Sequence, residues 1–148
     1  MGEPVVKPEV LGTMAGYSGT PLPKKLGIKD GSVVVLLGAP AHFEDTLGDL
    51  PFGVRIHREV FGQADVVLLF AAAQVDLAER FPVAAGVLAE RGRLWIIWPK
   101  KAARVITDVG EQEVRTFGLA RGFVDYKISA IDATWSGLCF ARRRPGPT

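Results

Sequence analysis

Three short stretches of the chain are apolar at every position: residues 33–37 (Val-Val-Val-Leu-Leu), 66–70 (Val-Val-Leu-Leu-Phe) and 94–98 (Leu-Trp-Ile-Ile-Trp). A strand with one face in water alternates polar and apolar residues. Unbroken runs of this length and β-branched content instead predict strands covered on both faces, as in a parallel sheet between helix layers. Between the second and third runs, Leu77, Phe81, Ala85 and Leu88 recur at helical spacing. They predict a crossover helix over residues 75–91, with Asp76 and Glu79 as a capping box and Gly92 as its stop. Pro82 inside it lacks a backbone donor and predicts a kink or a division into two short helices. After the third run, Asp108 and Glu111 repeat the capping-box spacing and predict a helix carrying Val114, Phe117 and Leu119 to about residue 120, ended by Gly122.

Beyond residue 123 the pattern turns to alternation. Val124, Tyr126, Ile128 and Ala130 are interleaved with Asp125, Lys127 and Ser129, and Leu138 and Phe140 with Cys139 and Ala141. This predicts a half-exposed antiparallel hairpin that turns at residues 132–134. Upstream, Thr20 and Pro21 suit the N-cap and first position of a short helical turn through Lys25, stopped by Gly27. Asp30-Gly31 marks a turn, residues 41–50 a helix and residues 54–57 a strand. Residues 58–64 are fewer than the dozen or so that a parallel crossover usually takes. Either the strand at 54–57 runs antiparallel, or the segment crosses extended without a helix. The expected fold is a single Rossmann-like three-layer α/β domain over residues 16–144, mostly a parallel sheet, closed by a C-terminal antiparallel hairpin. Residues 1–15 are expected to form a flexible N-terminal tail and residues 145–148 a C-terminal one.

The chain has 148 residues, 48% apolar and 23% charged, close to globular averages and unlike a disordered segment. Its longest apolar run, residues 66–73, is far below the roughly 20 residues of a membrane span. Its first residues lack a basic-then-apolar leader, so a cytoplasmic location is expected and a membrane is not. A lone cysteine, Cys139, excludes an intrachain disulfide, and His42 and His57 are too few for a Cys/His metal constellation. The net charge of +2 is unevenly spread. Residues 1–31 hold four Lys/Arg and three Asp/Glu, residues 32–90 three and eight, and residues 91–148 eleven and five. Opposite segments of one domain can neutralise each other, so no nucleic-acid partner is expected, and the run Arg142 to Arg144 reads as a solvated end.

A parallel sheet closed by an antiparallel hairpin resembles the class I methyltransferase variant of the Rossmann fold over residues 32–144. Residues 64–70 followed by a helix, and then residues 93–99, resemble that family's fourth and fifth strands. Three blocks are also similar to a small bacterial family catalogued as a domain of unknown function: Gly-Tyr-Ser-Gly-Thr-Pro-Leu-Pro-Lys-Lys-Leu-Gly-Ile-Lys at 16–29, Trp-Pro-Lys-Lys at 98–101 and Thr-Trp-Ser-Gly-Leu at 134–138. That resemblance implies no activity.

A nucleoside-cofactor site needs glycines after the first strand, so that backbone donors approach the ligand unobstructed. Here the turn is Gly38-Ala39-Pro40, with one glycine and a proline that removes a donor, and Glu59 is the carboxylate placed to hold a ribose. No cofactor is therefore expected, neither adenosylmethionine nor a nicotinamide dinucleotide. Lys100 and Lys101 follow a buried strand at the edge where open α/β sheets bind ligands. With Lys24, Lys25, Ser18, Thr20, Gly38 and Trp98 they are the candidate residues of an anion site, since ammonium groups and hydroxyls supply charge and donors. Trp95 and Trp98 differ in parity and belong to opposite sheet faces. His42 could serve as a base but has no nucleophile in a recognisable elbow, and Cys139 reads as a packing thiol. The pattern favours a non-catalytic module that binds a small anionic ligand or a protein partner; the alternative is a degenerate methyltransferase-like or nucleotide-using enzyme.

Overall fold

The three apolar runs become neighbouring strands. In the computed structural model, which describes residues 19–60 and 62–144, β1 (Val33–Leu37), β2 (Arg55–His57), β3 (Ala64–Phe70), β4 (Leu88–Pro99), β5 (Phe123–Ala130) and β6 (Trp135–Arg142) form one sheet in the order β2-β1-β3-β4-β6-β5. The first four strands are parallel, and β6 runs antiparallel between β4 and β5. This is the Rossmann-like α/β architecture that the pattern predicts. The expected tails at 1–15 and 145–148 lie outside the described residues, as does Ser18.

Alternation along each strand divides the core between two helix layers. Val35, Val67, Leu69, Leu94, Ile96 and Trp98 share one face with the buried residues of the two longer helices. Val34, Leu36, Val66, Leu68, Trp95 and Ile97 share the other with Leu26, Phe43 and Leu47, which come from the short helices α1 (Leu22–Leu26) and α2 (Phe43–Leu47). The longer helices are α3 (Gln74–Val87) and α4 (Glu111–Ala120). The opposite-face placement of the two tryptophans follows from strand parity.

Several local expectations differ from what forms. The strand at 54–57 is parallel to β1 over Arg55–His57, so the short connection to β3 is the extended crossing. Among its described residues there is no helix. The helix α3 runs unbroken through Pro82. Pro82 and Ala78, four residues earlier, are both exposed, so the carbonyl that loses its intrahelical donor can bond water. α3 ends at Val87 and not at Gly92, because residues 88–92 already belong to β4. The guanidinium of Arg142 stops it by donating to the carbonyls of Ala85, Leu88 and Ala89. Neither expected capping box forms: α3 and α4 have no side-chain N-cap bond. Asp108 instead accepts the backbone N–H of Gln74 at 2.7 Å, capping the helix distant in sequence. α1 likewise starts after Pro21 with no side-chain cap, and α2 is shorter than residues 41–50. The middle of β6, residues 137–140, is buried on both faces because β5 and not β6 occupies the sheet edge. Among the described residues no helix is long and apolar enough to cross a membrane.

Candidate functional site at the carboxyl edge of the sheet

β1 pairs with β2 on one side and β3 on the other, so the chain proceeds to opposite edges of the sheet from these two strands. Their carboxyl ends form the topological switch point, where the connections part and leave a crevice. Gly38 closes β1 there with φ +69°, a left-handed conformation that glycine adopts without steric cost. The chain then turns through Ala39, Pro40 and His42, which itself holds φ +65°, into α2.

Two arginines shape this crevice. Arg80 of α3 donates from Nη1 to the carbonyl of Phe70, the last residue of β3, at 2.6 Å. Its guanidinium lies so close to Gly38 that a Cβ built there would stand 2.6 Å from Arg80 Cζ. The cation therefore bridges the ends of the two diverging strands. Arg58, directly after β2, donates to the carbonyls of Ala39 at 3.1 Å and Pro40 at 2.8 Å. It also pairs with Glu44 through two bonds of 2.9 Å each. This pairing holds the Glu44 carboxyl down to about 2, so Arg58 is neutralised by its partner. Among the described residues no carboxylate is paired with Arg80. Glu59 is exposed one residue beyond Arg58.

A neighbouring cavity of about 720 Å³ opens between the end of β4, the start of α4 and the hairpin, and Trp98, Lys100, Lys101, Asp108, Glu111 and Ser136 line it. Its wall is tied to the end of β3 by Thr107, whose hydroxyl donates to the carbonyl of Ala72 at 2.6 Å, and by Asp108 on Gln74. Two of the sequence blocks meet here: Trp98 stands opposite Ser136 and Pro99 opposite Trp135, and the N–H of Lys100 donates to Thr134 O at 2.8 Å.

Of the anion-site candidates, Trp98, Lys100 and Lys101 thus share one cavity. Lys24 lies in another, of about 640 Å³, with Asp30, Asp49 and Pro51. The reason is the seat of α1. Leu26 O accepts the indole N–H of Trp95 and Gly27 packs on Arg93, in the middle of the strand that Lys100 follows. Lys25 and Thr20 belong to the same α1 region, and Gly38 marks the switch point instead. The single four-lysine pocket is therefore not assembled. Sequence reasoning missed Arg58, Arg80 and Glu44, because contacts across 10 or more residues between a turn, a helix and a strand end carry no periodic signal.

No protein-family model and no curated protein matches the chain. Among solved structures, it is similar to a putative type 11 methyltransferase from Sulfolobus solfataricus, with 18% identity, 86% of this chain and 92% of that one covered, and a TM-score of 0.57. The DhpI–SAH complex is similar at 13% identity over 93% and 88%, with a TM-score of 0.58. The N-methyltransferase NodS from Bradyrhizobium japonicum WM9 follows at 13% identity over 78% and 88%, with 0.54. The chain has a methyltransferase-like Rossmann fold. This corrects the expectation of a non-catalytic ligand- or partner-binding module with an anion-binding edge: the structures sharing the fold across most of both chains include proteins named as methyltransferases, one of them putative.

Proposed function

We propose that this chain is a reduced methyltransferase-like enzyme that uses a nucleoside-bearing ligand in the crevice between the ends of β1 and β3. The observation that carries this reading is the switch point itself, where Gly38 turns at positive φ above two parting parallel strands. Open α/β sheets bind ligands in that crevice. The SAH complex of the similarly folded DhpI supports a nucleoside as the ligand class. The adjoining cavity with Trp98, Lys100 and Lys101 is then the place for the second reactant. His42, exposed on the turn from β1 into α2, offers an imidazole there as a general base.

Equilibrium dialysis with adenosine, S-adenosylhomocysteine, adenosylmethionine, AMP and ATP tests the reading. At least one should bind, and Gly38→Trp, which fills the turn, should abolish that binding while the far-ultraviolet dichroism is retained. Silence of the whole panel, or binding untouched by Gly38→Trp, would overturn it.

A further inference from the structure

We infer that this crevice selects a phosphate-bearing nucleoside over adenosylmethionine, with Arg80 as the anchor of the phosphate. The inference rests on the preceding reading that the crevice takes a nucleoside, and it concerns which one.

The methyltransferase fold implies adenosylmethionine, whose reacting centre is a sulfonium cation close to an ammonium group. The side chains present do not fit it. The guanidinium of Arg80 fills the space against Gly38, where a Cβ would approach Nη1 to 2.6 Å and Nε to 2.9 Å. A sulfonium brought into that crevice meets a like charge at short range, half-buried, where water screens it less than at an open surface. The loop above is no more accommodating, because Arg58 already occupies the carbonyls of Ala39 and Pro40, which would otherwise be acceptors for the ligand.

The same arrangement suits a phosphate. A guanidinium presents five N–H donors in a planar fork that matches phosphate oxygens, and among the described residues Arg80 spends one bond on protein, to Phe70 O. That bond fixes the guanidinium beside Gly38 at the ends of β1 and β3, and its other N–H groups are the donors assigned to the phosphate. Arg58 differs in kind, since Glu44 cancels its charge, so the uncompensated cation of the crevice is Arg80. Helix α3 fixes its position: Leu77, Phe81 and Ala84 anchor the buried face, and Arg80 leaves the helix beside them toward the ends of the strands.

Calorimetric titration of the full chain with adenosine, AMP, ATP and adenosylmethionine tests the inference. AMP or ATP should bind at least tenfold more tightly than adenosine, and adenosylmethionine no more tightly than adenosine. Arg80→Gln should erase the preference, bringing the nucleotide down to the affinity that adenosine has for the same variant, and Arg80→Lys should restore part of it. The ranking in the unaltered protein is readable even where Arg80→Gln does not fold. Adenosine and AMP binding alike, adenosylmethionine matching AMP, or a preference that survives Arg80→Gln would overturn the selection of phosphate and leave the nucleoside reading standing. Absence of binding by every compound would remove both.

Discussion

Arg58 and Glu44 are joined by two side-chain hydrogen bonds of 2.9 Å each, and through them the end of β2, the turn after β1 and the start of α2 become one unit. The pairing holds the carboxyl of Glu44 at about 2, against an ordinary 4.5. Between those two values the unfolded chain binds more protons than the folded one. The stability supplied by the pair is therefore present above pH 4.5 and lost as pH falls toward 2. Denaturation midpoints of the unaltered protein and Glu44→Gln should differ at pH 6 and converge below pH 3. Both groups are exposed, so the gap is small. A gap of constant size across this range would show that Glu44 acts by some means other than its charge.

Trp95 supplies a second long-range link. Its indole N–H donates to the carbonyl of Leu26 at 3.0 Å, and both residues are fully buried. Trp95→Phe would leave that carbonyl without a donor and a void beside α1, at a cost of about 2–4 kcal/mol. Urea denaturation measures it. A loss below about 1 kcal/mol would mean that α1 moves enough for the carbonyl to reach water.

These contacts show where the sequence is legible and where it is not. The strands β1, β3 and β4 follow directly from their all-apolar runs, because burial on both faces demands such runs. Periodicity also carries α3 and α4. The caps differ from their spacing: Asp76 falls inside the first turn of α3, and Asp108, which precedes α4, closes α3 instead, a choice made by tertiary placement and invisible to spacing rules. The site was legible as an edge and not as a set of side chains. Trp98, Lys100 and Lys101 are contiguous and fall together, whereas Lys24 goes elsewhere because α1 docks by Leu26 on Trp95. Arg80 carries no signal in the residue pattern; only the fold brings it against Gly38.

Helix α4 lies close to the sheet at Gly118. A Cβ there would collide with the ring of Phe140, which is fully buried and has nowhere to retreat. Gly118→Ala should cost roughly 1–3 kcal/mol by overpacking, although alanine is the better helix former. Gly86, in α3, has open space around its would-be Cβ and ordinary backbone angles. Gly86→Ala should gain up to about 1 kcal/mol. Thermal unfolding of both variants is the check, and a gain in stability from Gly118→Ala would refute the close approach of α4.

The thiol of Cys139 is fully buried in β6 and donates to the Tyr126 hydroxyl at 3.1 Å. Burial pushes its pKa up to about 11 from an ordinary 9.0. The unfolded thiol then releases its proton first as pH rises. The stability linked to this group is accordingly complete below pH 9 and declines as pH passes through about 11. Since the thiolate is the reactive form and the sulfur is covered, a disulfide-exchange reagent such as 5,5′-dithiobis(2-nitrobenzoate) should leave Cys139 unmodified in the native protein at pH 8. It should react within minutes once urea unfolds the chain. Because β6 is a central strand between β4 and β5, labelling at intermediate urea should follow the same transition as the loss of circular dichroism, which reports opening of the whole sheet. Cys139→Ala should lessen the decline in stability that sets in above pH 9, leaving the part due to Tyr126, whose hydroxyl burial also pushes up. Stoichiometric labelling of the native protein at pH 8, ahead of any loss of dichroism, would show that the hairpin opens by itself and that β5 and β6 are not part of the cooperative core.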